Sequence, residues 1–153
     1  MNNIAKRQRL AMLSVTVGLL MSLSPVFAHH SDSIYDQERF ITVKGTVTQY
    51  EFVNPHVLIH VSAKDDKGNL VQWTTLGGPP NRMAKGAGWT HSTIKEGEEL
   101  TITGYPFRDG RPVMLFQMIC RADGQQVPMS ETVTAFSTRQ GKNLSCADMQ
   151  KTK

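Results

Sequence analysis

Ile41-Thr42-Val43-Lys44-Gly45-Thr46-Val47-Thr48 decides the fold. Apolar residues alternate with polar ones at period two, and β-branched side chains lie on both faces, so the stretch reads as a strand. Glycine inside such a run marks a bend or bulge, the device a small barrel uses where a strand turns a corner. Tyr50-Glu51-Phe52-Val53 continues the strand, and Asn54-Pro55 stops the ladder, because proline has no N–H to give.

Working outward, four more strands appear. His56 to Ala63 alternates Val57, Ile59 and Val61 against His56, Leu58, His60 and Ser62. Lys64 to Asn69 is a hairpin connection with Gly68 at its tight point, and Leu70 to Leu76 pairs back. Gly77-Gly78-Pro79-Pro80 breaks the β pattern. Pro80 suits the first turn of a short helix holding Asn81 to Lys85, with Gly86 or Gly88 ending it. Trp89 then reads as a plug against the sheet. Strand four is Leu100 to Tyr105, with Gly97 before it and Gly104 inside it. After a turn at Asp109-Gly110 comes strand five, Pro112 to Ala122. It sets Val113, Leu115 and Ile119 against Met114, Phe116 and Met118, so it is apolar on both faces and must be covered on both sides. Three strands, one short helix and two strands is the order of a mainly β, five-stranded OB-like barrel. An open antiparallel β-sandwich is the alternative.

The barrel spans residues 40–126 in this reading. An extended N-terminal arm, 29–39, precedes it, with Tyr35 and Phe40 as anchors. A polar C-terminal tail, 127–153, follows. Residues 1–28 read as a signal peptide. Lys6, Arg7 and Arg9 make a basic start, the apolar run from Leu10 to Leu23 is shorter than the roughly 20 residues that span a bilayer, and Val26-Phe27-Ala28 offers a cleavage site. An uncleaved anchor is the alternative. Cleavage implies the periplasm or secretion, with membrane contact only through the leader before it is cut. The leader holds three of the 17 basic residues and none of the 13 acidic ones, so the net charge falls from +4 in the whole chain to +1 in the mature one. Charge therefore gives no argument for a nucleic-acid partner. Cys120 and Cys146 are the only two cysteines. In an oxidising compartment they form one disulfide, with two free thiols as the alternative.

The motifs His29-His30-Ser31, Gly45-Thr46-Val47, Asn54-Pro55-His56-Val57, Gly88-Trp89-Thr90 and Pro106-Phe107-Arg108-Asp109-Gly110, followed by Asp123-Gly124, resemble a family of small exported bacterial proteins known only as a domain of unknown function. The resemblance covers residues 29 to about 127. It implies export and a β-rich domain and brings no activity with it. Within it, His91 stands where an arginine is usual.

All five histidines fall after the leader. There is no nucleophile-elbow serine motif, no phosphate-binding glycine loop and no His-Glu-x-x-His, so no reaction is assigned; a binding protein is the first reading and an enzyme with an oxygen-activating copper site the last. Cleavage after Ala28 would free the α-amine of His29, which together with its Nδ1 can chelate one ion. A further imidazole would complete a histidine brace, and such nitrogen ligands in a tetragonal array favour copper. His56, beside Asn54-Pro55, is the first choice for that imidazole. His30 is a reserve ligand and His91 a weaker one. His60 lies four residues beyond His56, about 13 Å along a strand, too far to share an ion. The alternative is an OB-like module that binds a ligand or protein without metal, on a face carrying Leu58, His60 and Trp73. No partner can be named from the sequence.

Overall fold

The computed structural model describes residues 34–129 and 145–149. Residues 1–28, read from sequence as a signal peptide, together with His29, His30 and most of the tail, lie outside these residues. The described chain is a closed five-stranded barrel with strand order β1-β2-β3-β5-β4. Its strands are β1 Ile41–Phe52, β2 Val57–Lys64, β3 Leu70–Leu76, β4 Glu99–Pro106 and β5 Val113–Arg121. One short helix, α1 Pro80–Ala87, lies between β3 and β4. A second, α2 Cys146–Met149, belongs to the tail. All pairings are antiparallel except β3 with β5. Closure rules out the open sandwich.

β1 closes the barrel because it serves two neighbours. Its first half pairs with β4, from Ile41↔Gly104 to Thr46↔Glu99, and its second half pairs with β2, from Gly45↔Ala63 to Phe52↔Val57. Gly45 and Thr46 belong to both ladders. A Cβ on Gly45 would lie 2.5 Å from the Ser62 carbonyl oxygen, so only glycine lets the strands meet at this corner.

Two bulges set which side chains face the core. In β1 the register slips between Val47 and Gln49. Val43 and Val47 face inward before the slip, and Tyr50 and Phe52 pack on the core after it. In β5 the pairing passes from Thr103↔Met118 to Gly104↔Phe116, which leaves Gln117 as the extra residue. The uninterrupted alternation expected for strand five is therefore corrected. Met114, Phe116 and Ile119 line the core, whereas Val113 and Leu115 pack with Tyr35, Tyr105 and Phe107, and Met118 and Cys120 pack with Cys146. β5 is covered on both faces, as its composition demands.

Trp89 fills the barrel from the α1–β4 connection. It is 1% exposed, stacks on Phe116 with ring centroids 5.7 Å apart, and donates its indole N–H to the Pro128 carbonyl at 2.6 Å. Thr75 is fully buried and donates to the Ile59 carbonyl, so its hydroxyl is satisfied inside an apolar core. Residues 127–129, read from sequence as the start of a polar tail, complete the core. Val127 is fully buried, with its N–H on the Ile119 carbonyl, and Met129 packs beside it.

The arm docks through its aromatic anchors. Tyr35 bridges to Phe107, edge-on at 4.9 Å, and Phe40 packs on Tyr105 at 4.4 Å. The backbone is clamped as well: Asp36 donates to the Pro106 carbonyl, Arg108 donates from its N–H to Ile34 and from Nε to Tyr35. Cys120 and Cys146 form a disulfide with Cα atoms 5.6 Å apart, which pins α2 onto the outer face of β5.

Candidate functional site

Register decides which side chains share the outer surface. The hairpin pairs Lys64 with Leu70, and from there Leu58 meets Leu76, His60 meets Thr74 and Val61 meets Trp73. Val61 faces the core, so Trp73 faces inward too and packs there. The expected face of Leu58, His60 and Trp73 is therefore corrected: Leu58 and His60 point outward, and their neighbours on β3 are Leu76, Thr74 and Gln72. The row continues across β5, where Leu76 pairs with Leu115, and on to Tyr105 of β4. Leu58, Leu76 and Leu115 are each half-buried. They form a shallow apolar strip that runs from β2 to the arm's anchors.

His60 sits beside this strip in a hydrogen-bonded chain. Its Nε2 is 3.0 Å from Oε1 of Glu51, and its Nδ1 is 3.1 Å from Oγ1 of Thr74. The carboxylate only accepts, so Nε2 carries the proton in the neutral ring and the Thr74 hydroxyl donates to Nδ1. Both side chains of the Glu51–His60 pair are about a third exposed or less. Sequence reasoning missed Glu51 and Thr74. Glu51 lies nine residues before His60, and the β1–β2 connection, which pairs Glu51 with Leu58 and Gln49 with His60, puts the two on one face. Nothing local signals either partner.

His56 precedes β2 in the β1–β2 turn, where the Asn54-Pro55 peptide is cis. It is exposed, and its Nδ1 lies 3.2 Å from the Gly77 carbonyl oxygen. A carbonyl can only accept, so Nδ1 carries a proton, and in the neutral ring the lone pair is on Nε2. Backbone bonds between Val57 and Gly77-Gly78 hold the two loops together. His91 is also exposed, and its ring stands edge-on to Phe52 at 5.1 Å. Phe52 is the residue paired with Val57, so His56 and His91 belong to the same end of the barrel. Tyr50, on the inner side of that end, donates its hydroxyl to the Thr90 carbonyl, and burial pushes its pKa up to about 12.

Among the described residues, no group of three or more His, Cys, Asp or Glu side chains is placed to hold a metal ion. The barrel offers single imidazoles at its surface and no complete cage. His29 and His30 lie outside the described residues.

The loop that receives the arm is built by charge. Asp109 accepts from the backbone N–H and from Nε of Arg111, and the backbone bond leads in holding its carboxyl below the usual range. The Arg111 guanidinium lies over the Phe107 ring at 5.0 Å. The Phe107 ring therefore contacts both Tyr35 and Arg111.

Compared with curated proteins, the sequence matches none. A family model does match, over residues 17–116, so the match begins inside the apolar run from Leu10 to Leu23. With about two thirds of its length matched, the chain belongs to the family of unknown function DUF6152.

Proposed function

We propose that the protein is exported to the periplasm or secreted, and that after removal of residues 1–28 it binds a copper ion through the α-amine and Nδ1 of His29, with His56 as the second imidazole. The observation that carries this reading is the state of His56. An exposed ring whose Nδ1–H is held by a backbone carbonyl presents Nε2 as an oriented ligand, the arrangement that metal-binding histidines adopt. His30 is the reserve ligand and His91 a weaker one.

The test begins with the intact mass of the protein recovered from the periplasm, which should place His29 first. Cu(II) titration then compares the mature chain, a chain with one extra glycine before His29, and His56→Ala. Each change should weaken binding by about two orders of magnitude. A mature chain starting elsewhere, or equal affinity for all three, would end the reading.

The half-buried strip of Leu58, Leu76 and Leu115 beside the His60 chain favours a second reading, a module that binds a ligand or protein on its outer face without metal. Under that reading a bound ligand protects Leu58 and Leu76 from solvent, and Leu76→Asp abolishes binding of that ligand.

A further inference from the structure

The Gln117 bulge does more than close the barrel. It turns Met118 and Cys120 out together on the face of β5 opposite the core. There they meet Cys146 of α2, and the three make a buried cluster separate from the barrel interior, at 4%, 1% and 6% exposure. Every member of that cluster carries sulfur. A disulfide needs two sulfurs; the third is a thioether placed beside it. The strand under the cluster is β4, where Thr103 pairs with Met118 and Thr101 with Cys120. No charged side chain occupies either of those partner positions.

We propose that this cluster, once reduced, is a Cu(I) site formed by Cys120, Cys146 and Met118. Two thiolates and a thioether are the soft donors that select Cu(I). A metal–thiolate bond of about 2.3 Å sets two thiolates of a trigonal ion about 4 Å apart. Rotation of the two side chains reaches that separation at the observed Cα spacing of 5.6 Å. Met118 lies two residues from Cys120 on the same face, about 7 Å along the strand, within the length of its flexible side chain. The chemistry balances with a dithiol as reductant. The dithiol gives two electrons and two protons to the Cys120–Cys146 bond and leaves as a cyclic disulfide. Cu(I) then displaces the two thiol protons to solvent and keeps its oxidation state. The metal would replace the covalent link that holds α2 to β5. None of these ligands belongs to the His29–His56 reading, so each stands or falls alone.

The test uses the full mature chain with an added N-terminal glycine and His56→Ala, which removes the imidazole site. The protein is reduced with excess dithiol, desalted under nitrogen, and titrated against a Cu(I)–bathocuproine complex. The reduced protein should withdraw one Cu(I) per chain and develop near-ultraviolet sulfur-to-copper absorption, whereas the disulfide form should withdraw none. Met118→Leu, a volume-conserving change, should weaken binding about tenfold, or 1.4 kcal/mol. Met114→Leu, on the same strand but facing the core, should not. The titration is repeated in denaturant, where the three sulfurs are no longer gathered and affinity should fall. Equal Cu(I) uptake by reduced and disulfide forms, unchanged affinity in Met118→Leu, or equal affinity of folded and unfolded reduced chains would each overturn the proposal.

Discussion

Replacing Gly104 with alanine tests whether the barrel closes by direct backbone contact. Gly104 is not among the glycines with positive φ, so its backbone conformation is open to alanine and space alone opposes the change. A Cβ built there lies 2.2 Å from the Leu115 carbonyl oxygen and 2.9 Å from the Phe116 Cα, both main-chain atoms of β5. Ordinary contact starts near 3.4 Å, so β4 and β5 must part by about 1 Å beside the Gln117 bulge. Overpacking against side chains costs about 1–3 kcal/mol. Here the obstacle cannot rotate away, which puts the cost at about 3 kcal/mol or more. In a domain of this size 1 kcal/mol corresponds to about 4–8 °C, giving a fall in Tm of about 12–24 °C. Gly68→Ala is the control. Gly68 sits at φ +84° with nothing within 4 Å of a new Cβ, so it pays only left-handed strain, about 1–2 kcal/mol. Thermal melts followed by far-ultraviolet circular dichroism compare the two. A Gly104→Ala protein melting within about 5 °C of its parent, or a Gly68→Ala protein that is the less stable, would refute closure by backbone contact.

Three further outcomes follow from the core, the disulfide and Tyr50. Trp89→Ala should cost about 3–5 kcal/mol, while Trp89→Phe, which keeps the stack on Phe116 but leaves the Pro128 carbonyl without its donor, should cost nearer 1–3 kcal/mol; denaturant unfolding reports both. Serine at both Cys120 and Cys146 should remove about 3.5 kcal/mol on the chain-entropy account of a loop of this length, and melting curves that coincide for the parent and the double variant would contradict it. Tyr50 binds its proton more tightly when folded, so its contribution to stability is full below pH 10, the ordinary tyrosine value, and is lost as pH rises through about 12; ultraviolet titration of phenolate, with Tyr50→Phe as reference, should show the late-titrating group disappear.

Much of the fold was legible because the strands carry their own periodicity. Val57, Ile59 and Val61 alternate without a break, and the same three are buried. Gly77 to Pro80 punctuates the chain where the sheet gives way to a helix with proline in its first turn. Gly45 and Gly104 announced corners, and corners are what they make. The bulges were not legible. A bulge is a relation between two strands, one residue more on one side than on the other, and no residue type in Val47-Thr48-Gln49 or Phe116-Gln117-Met118 demands it. Reading β5 as strictly alternating therefore put Ile119 and Met118 on the wrong faces.

The same blindness to register limits what sequence says about the surface. His56 was legible as a candidate because its signal is local, a proline turn at a strand entry, although the Gly77 carbonyl that holds its ring comes from 21 residues away. The chain of Glu51, His60 and Thr74 was not, because each member comes from a different strand and two registers must be known before they meet. Trp73 fails for the converse reason. A tryptophan on a presumed binding strand suggests a stacking platform, but pairing with Val61 turns it into the barrel. The sulfur cluster depends on both kinds of information. Two cysteines in an oxidising compartment imply a bond, and that much is local. That a methionine joins them follows from the two-residue spacing of Met118 and Cys120, and the Gln117 bulge turns the pair away from the face that Met114 and Phe116 occupy. One unpaired residue thus decides whether this sulfur pair faces the barrel interior or α2, and placing a bulge is the step from sequence to this surface that periodicity cannot take.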